Sequence, residues 1–202
     1  MAKFEIVLPE NMREAFATTA GTVFKEFDPS GEMNADTLRK NILFATNGGV
    51  TVSCVATYKD HGEDVDNCPP NTIELLDIDA VTCRMTGTAL SVTGDNICTL
   101  FGHADKAGVD LIEVTPRMTI KLEDFKTLWL VCKYGTQGGF AAVKMTNALN
   151  VGGFSWKSDD ANKGQFAFDF TGHTSIAAPR DIPFKFYLKP SATEAAQEVN
   201  VA

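Results

Sequence analysis

Several common chemistries are ruled out by what this sequence does not contain. Its five cysteines, Cys54, Cys68, Cys83, Cys98 and Cys132, are odd in number and form no C-x-x-C pair. That sets aside a disulfide scaffold and a thiolate zinc site, and favours free thiols in a reducing compartment. The three histidines, His61, His103 and His173, lie far apart and make no H-x-x-x-H pair. The glycine pairs Gly48-Gly49, Gly138-Gly139 and Gly152-Gly153 fit neither G-x-x-x-x-G-K-[ST] nor G-x-G-x-x-G, so they read as turn glycines, not phosphate cradles. No apolar run approaches the roughly 20 residues of a membrane-spanning helix; residues 128–131 are only a short patch. Cationic excess is missing too. Eighteen Lys and Arg face 26 Asp and Glu, for a net charge of −8, which argues against gripping nucleic acid by its phosphates. It does not argue against a surface that DNA slides past. With two Trp and three Tyr, little is left for a glycan-stacking platform.

What is present fits one globular domain of 202 residues, 44% hydrophobic and 22% charged. The start, Met1-Ala2-Lys3-Phe4-Glu5, places a carboxylate inside any signal h-region, so the expectation is synthesis without export. The expected division is a single domain over residues 1–190 and a mobile tail over 191–202, which is small, acidic and without apolar period.

Along the chain, residues 4–8 read as a strand and the stretch around Met12 and Phe16 as one or two helical turns. Asp28-Pro29-Ser30-Gly31 is a turn. Residues 42–46 and 50–58 flank Asn47, Gly48 and Gly49 and read as a hairpin, because those three residues tolerate the positive φ of tight turns. In the second flank Cys54 alternates with Val50, Val52 and Ala56, which predicts a buried, inert thiol. Residues 80–92 read as a strand with a bend at Gly87. Thr93 opens a short amphipathic helix in which Ile97, Leu100, Phe101 and Ala104 share a face. Brief strands are expected over residues 111–114 and 118–120, then one helical turn over 122–126. Further strands are expected at 128–134, 140–149, 154–156, 166–170 and 184–188. Phe166, Phe168 and Phe170 alternate with polar or small residues. They could stack on a base or sugar, but one-faced Phe in a half-buried strand is first a core pattern. Many short strands with one or two short flanking helices predict a mainly β fold, a β-sandwich or partly closed barrel.

Between two of these strands lies a polar loop, residues 59–71, rich in acids and closed by Pro69-Pro70. Asp64-x-Asp66-Asn67 lacks the glycine and distal glutamate of a calcium loop. A solvated loop and a subunit-contacting loop both fit it. No carboxylate pair, metal cluster or nucleophile–base motif stands out, so no catalytic residue, metal or cofactor is expected. A Cys–His enzyme would require partners that meet only in the fold.

Six segments together carry a resemblance. They are residues 40–54 (KNILFATNGGVTVSC), 58–69 (YKDHGEDVDNCP), 85–90 (MTGTAL), 115–118 (TPRM), 148–155 (ALNVGGFS) and 163–173 (KGQFAFDFTGH). In this order the chain, from about residue 21 to 189, resembles the major tail (tail tube) proteins of long-tailed phages and prophages of Gram-positive bacteria. The resemblance implies a structural virion protein: a β-sandwich with a short helix, assembling into hexameric rings that stack into a hollow tube for genome passage. Inner sheets of six subunits would join edge to edge into one barrel. It implies as partners copies of itself, the tape-measure protein, tail terminator and tip proteins, and DNA only transiently in the lumen. The place would be the virion tail, after synthesis in the host cytoplasm. On this reading Asp60, Glu63, Asp64 and Asp66 are the candidate inter-subunit loop, and Asn47, Gly48 and Gly49 the candidate lumen-side hairpin turn. Six chains at −8 would carry about −48 per ring and repel DNA wherever that charge faces the lumen. The alternative is another β-sandwich virion component, a head decoration or a receptor- or glycan-binding module.

Overall fold

The computed structural model describes residues 21–31, 34–94, 96–135, 138–160 and 163–190. The strand and helical turns expected before residue 21, and the tail after residue 190, lie outside the described residues. The fold is mainly β. Its centre is the hairpin of β7 (Lys126–Tyr134) and β8 (Gly139–Asn150). The run Leu128-Trp129-Leu130 is continuously apolar because both faces of β7 are covered. Leu128 and Leu130 point into the main core with Val23, Phe44, Met145 and Phe170. Trp129 points the other way, onto Phe24, Phe27, Phe140 and Ala142, and Leu38 of helix α1 (Ala35–Asn41) packs against that second cluster. Asn34 caps α1 by accepting the Asp36 amide at 2.9 Å.

The antiparallel sheet adds β1 (Thr22–Phe24), β2 (Ile42–Phe44), β3 (Thr46–Asp60), β4 (Leu76–Ala89) and β10 (Gln165–Gly172) in the order β2-β1-β7-β8-β10-β4-β3. The strand β11 (Phe184–Lys189) pairs with β8, and β9 (Ser155–Lys157) with β10. Strand β8 belongs to two layers. Residues 140–145 pair with β11, and 148–150 pair with β10. Between them Asn147 takes a φ of 49°, and β8 carries one residue more than β7 does between the Met145–Leu128 and Ala148–Lys126 pairs. This bulge lets both Met145 and Ala148 reach the core and bends the strand.

The sheet consequently folds over on itself. β2 and β10 are four strand positions apart, about 19 Å in a flat sheet, yet the Phe44 ring lies 5.5 Å from Phe168 and 6.3 Å from Phe170. That is sandwich packing. The two ends of the path, β2 and β3, do not pair, so the described sheet is open and not closed into a barrel. Leu100 of the short helix α2 (Ile97–Phe101) enters the same core, and a separate ribbon of β5 (Ala104–Ala107) and β6 (Glu113–Pro116) follows it.

Three expectations need correction. Asn47, Gly48 and Gly49 are not a hairpin turn. Leu43 and Phe44 are drawn into the core, β2 pairs with β1, and β3 runs on to pair with β4. Gly48 and Gly49, at φ 74° and 86°, are two extra residues opposite the Thr88–Gly87 step, a bulge in an edge strand. Residues 118–120 form no strand, and Met118 is fully exposed. Cys54 is exposed because it lies on the edge strand, whereas Cys83 opposite it on β4 is wholly buried. The phenylalanine stripe does build the core, with Phe168 and Phe170 buried.

Candidate functional site

The feature that stands out from the packed body is the β3–β4 hairpin. Its register runs from Val50–Gly87 through Val52–Met85, Cys54–Cys83 and Ala56–Val81 to Tyr58–Ile78 and Asp60–Leu76. Met85 and Cys83 are buried, whereas Tyr58, Ile78 and Leu76, on the same side farther out, are exposed. The hairpin therefore leaves the core beyond Ala56 and Val81 and projects an arm with an apolar side that nothing among the described residues covers. Asp79 is the extra residue where pairing passes from Thr57–Ala80 to Tyr58–Ile78, and it keeps Ile78 on that side.

The arm ends in the acidic loop, which is built from its own hydrogen bonds. Asp60 accepts the Gly62 amide at 2.8 Å on one carboxylate oxygen and the Asn71 amide at 2.7 Å on the other. His61 follows in a short 3-10 turn (His61–Asp64), and its amide donates to the Leu75 carbonyl at 3.0 Å. Thr72 donates its hydroxyl to the Pro69 carbonyl at 2.7 Å, and Asn67 and Asn71 take the left-handed conformation, at φ 60° and 59°, that asparagine tolerates. The four acids nominated from sequence thus divide. Asp60 holds the loop together, while Glu63, Asp64 and Asp66 are exposed. Asn47, Gly48 and Gly49 sit at the other end of β3, about 40 Å from Asp60 at the usual rise per strand residue.

The Asn71 and Gly62 amides, with a further contribution from His61, hold the Asp60 carboxyl below its ordinary value of 3.8. A depressed carboxylate contributes its stabilisation fully above the unfolded value and loses it as pH falls through the folded one. The loop should therefore keep its structure above about pH 4 and loosen below that. In NMR titrations the Gly62 and Asn71 amides are expected to shift together with Asp60, and Asp60→Asn should remove that acid transition. Titration of either amide in the Asp60→Asn protein would refute the assignment.

The charge of the chain is concentrated here. Asp60, Glu63, Asp64, Asp66, Glu74, Asp77 and Asp79 lie within residues 59–79 against Lys59 as the one Lys or Arg. The outward face of the sheet formed by β3, β4 and β10 is different. It presents Thr51, Ser53 and Thr57, Thr82, Thr86 and Thr88, and Thr171, which alternate in register with the buried core residues. On it Arg84 donates two hydrogen bonds to Asp169, one from Nε at 3.1 Å, while Lys59 and Asp77 are opposed in the strand register.

Among the described residues strand β3 pairs with β4 on one side and with no strand on the other, leaving 15 residues of edge. Sequence reasoning missed this edge, since edge position is a property of topology and leaves no local signal. Among the described residues no three or more His, Cys, Asp and Glu side chains gather as a metal site, and no helix is long and apolar enough to cross a membrane. Burial pushes the Cys98 and Cys132 thiols up and, with Cys54 alongside, Cys83 up to about 12, the reverse of what a thiolate nucleophile needs. His173 packs edge-on against Phe125. Compared with known proteins, the chain matches no protein-family model and no curated sequence.

Proposed function

We propose that this chain is a structural subunit that assembles with copies of itself, as the major tail tube protein it resembles would. The observation that carries the reading is β3: a long edge strand without proline, charged only at its last two residues, Lys59 and Asp60. Proteins that stay monomeric blunt such edges with charge, proline or short length. The opposite end of the sheet is the three-residue β2. Unlike ends favour a head-to-tail contact, which closes into a ring or continues as a filament. In the ring reading six edges join, the threonine-rich face lines the bore, and the arms carry stacking contacts. A face of hydroxyls with the exposed Val55 and an arginine held by Asp169 gives a phosphate backbone no cluster of free cations among the described residues. The acids belong to the arm tip on this reading, where they act between rings. The partners remain a tape-measure protein and terminator and tip proteins, in a virion tail.

Negative-stain microscopy of concentrated protein should show rings or tubes of uniform bore. Persistent monomers, even beside the tape-measure protein, would overturn the proposal. Changing Glu63, Asp64 and Asp66 together to alanine should slow tube elongation by about tenfold or more while leaving the monomer folded, as exposed interface charges chiefly set association rates. Unchanged elongation would remove the loop from the interface.

One observation favours a second reading, a glycan-binding virion module. Trp156 on β9 is 62% exposed and stacks on Phe166 with ring centroids 6.0 Å apart. Glycan-array binding that is lost in Trp156→Ala would support that alternative.

A further inference from the structure

Cys54 and Cys83 stand directly opposite each other in the β3–β4 register, with their sulfurs 3.4 Å apart. Directly opposed residues of antiparallel strands have Cα atoms about 4.5–5.5 Å apart, inside the range of about 4.4–6.8 Å that a disulfide spans. Closing the bond therefore asks for side-chain rotation and no backbone shift. The two thiols are unlike. Cys54 is exposed, whereas Cys83 is wholly buried beside Met85 in the core. The pair also sits near the base of the arm, so a bond here would stitch a hairpin whose outer residues, Tyr58, Ile78 and Leu76, are exposed.

We propose that Cys54 and Cys83 form a reversible redox-modification site, a disulfide staple at the base of the arm, made by a small disulfide oxidant of the glutathione type. The exposed Cys54 thiolate attacks one sulfur of the oxidant, forming a mixed disulfide and releasing one thiol. Cys83 then gives its proton to solvent and attacks the Cys54 sulfur, and the second small thiol leaves. Two protein thiols are oxidised and one oxidant disulfide is reduced to two thiols; a reducing dithiol reverses the sequence. Burial keeps the Cys83 thiol protonated, so the second step is the slow one at neutral pH. Its rate should rise about tenfold per pH unit through the mildly alkaline range, following the thiolate fraction. In a reducing cytoplasm the staple stays open, and it closes in oxidising surroundings. The site stands whether or not the arm docks on another subunit.

The test uses the full-length folded protein incubated with excess oxidised glutathione, acid-quenched, alkylated and mapped by mass spectrometry without reduction. The expected product is a peptide pair joined through Cys54 and Cys83 and lighter by two hydrogens, with Cys68, Cys98 and Cys132 alkylated. Dithiothreitol should reverse it. Amide exchange across residues 55–60 and 76–82 should slow by about tenfold, because opening of the arm is restrained. Cys54→Ser, at an exposed position, should fold normally and show neither the cross-link nor the slowing. A stable glutathione adduct on Cys54, a cross-link to any other cysteine, or a Cys54–Cys83 bond that leaves arm exchange unchanged would each overturn the proposal.

Discussion

Replacing Asn150 with alanine is expected to destabilise the fold by about 3 kcal/mol, measured by urea denaturation. Asn150 is 3% exposed and ends β8. Its side-chain nitrogen donates to the Leu100 carbonyl and, at 3.1 Å, to the Gly153 carbonyl; its oxygen accepts the Asp169 amide at 2.9 Å. One amide thus ties helix α2, the turn after β8 and strand β10 together. Removing it leaves the Leu100 carbonyl without its side-chain donor beside a fully buried Leu100, while the Gly153 carbonyl can turn to water. An orphaned buried polar group costs about 1–3 kcal/mol, and the lost bonds to the other two partners add to it. Asn150→Asp keeps the acceptor for Asp169 but loses both donors and turns a charge toward two carbonyls, so it should be no better than alanine. A loss below about 1 kcal/mol for alanine would mean that these groups rehydrate and that α2 is held by Leu100 in the core and by Phe101 stacked on Phe154 instead.

Asn150 also marks the limit of what the sequence discloses. Alternation made the strand around Phe168 and Phe170 readable, because that run follows one buried face. The strand around Leu128 and Leu130 instead reads as an unbroken apolar run, because Trp129 is buried on the other face. The helix α1 went unread although Asn34, Asp36, Arg39 and Lys40 are ordinary capping and dipole signals. Gly48 and Gly49 were misread for a physical reason: positive φ serves a bulge as well as a turn, and only pairing decides between them. That pairing is non-local, since β2 returns to β1 and β3 goes forward to β4. Cys54 shows the same limit. Its alternation with Val52 is real, but whether an alternating strand lies at the edge of the sheet is fixed elsewhere in the chain. The acidic loop was visible at once as composition. That Asp60 is its internal bracket and Glu63, Asp64 and Asp66 its outer surface required the Asn71 and Gly62 amides.

Phe44→Ala is expected to cost more, about 3–5 kcal/mol, the usual range for emptying a buried phenylalanine site. Phe44 is wholly buried and lies on a strand of three residues whose strand pairing is to β1 alone. So short a strand has few ladder bonds, and its side chains must anchor it. The Phe44 ring stacks on Phe168 and Phe170, contributed by a strand four places away along the sheet, so this contact is where the folded-over sheet closes on itself. Removing the ring opens a cavity between the layers and weakens the hold on β2 at once. Phe44→Leu should recover more than half of the loss, because the hole is then largely filled. A double-mutant cycle of Phe44→Ala with Phe170→Ala should give a coupling above about 0.5 kcal/mol, beyond the additivity of distant sites. Additive losses would mean that the two rings lie against separate walls and that the layers are held by Met85, Leu128 and Met145 instead. The arm gives this experiment a second readout. Its outer half rests on no core residue, so Phe44→Ala should lower global stability while leaving amide exchange at Gly62 and Asn71, which opens locally, nearly unchanged.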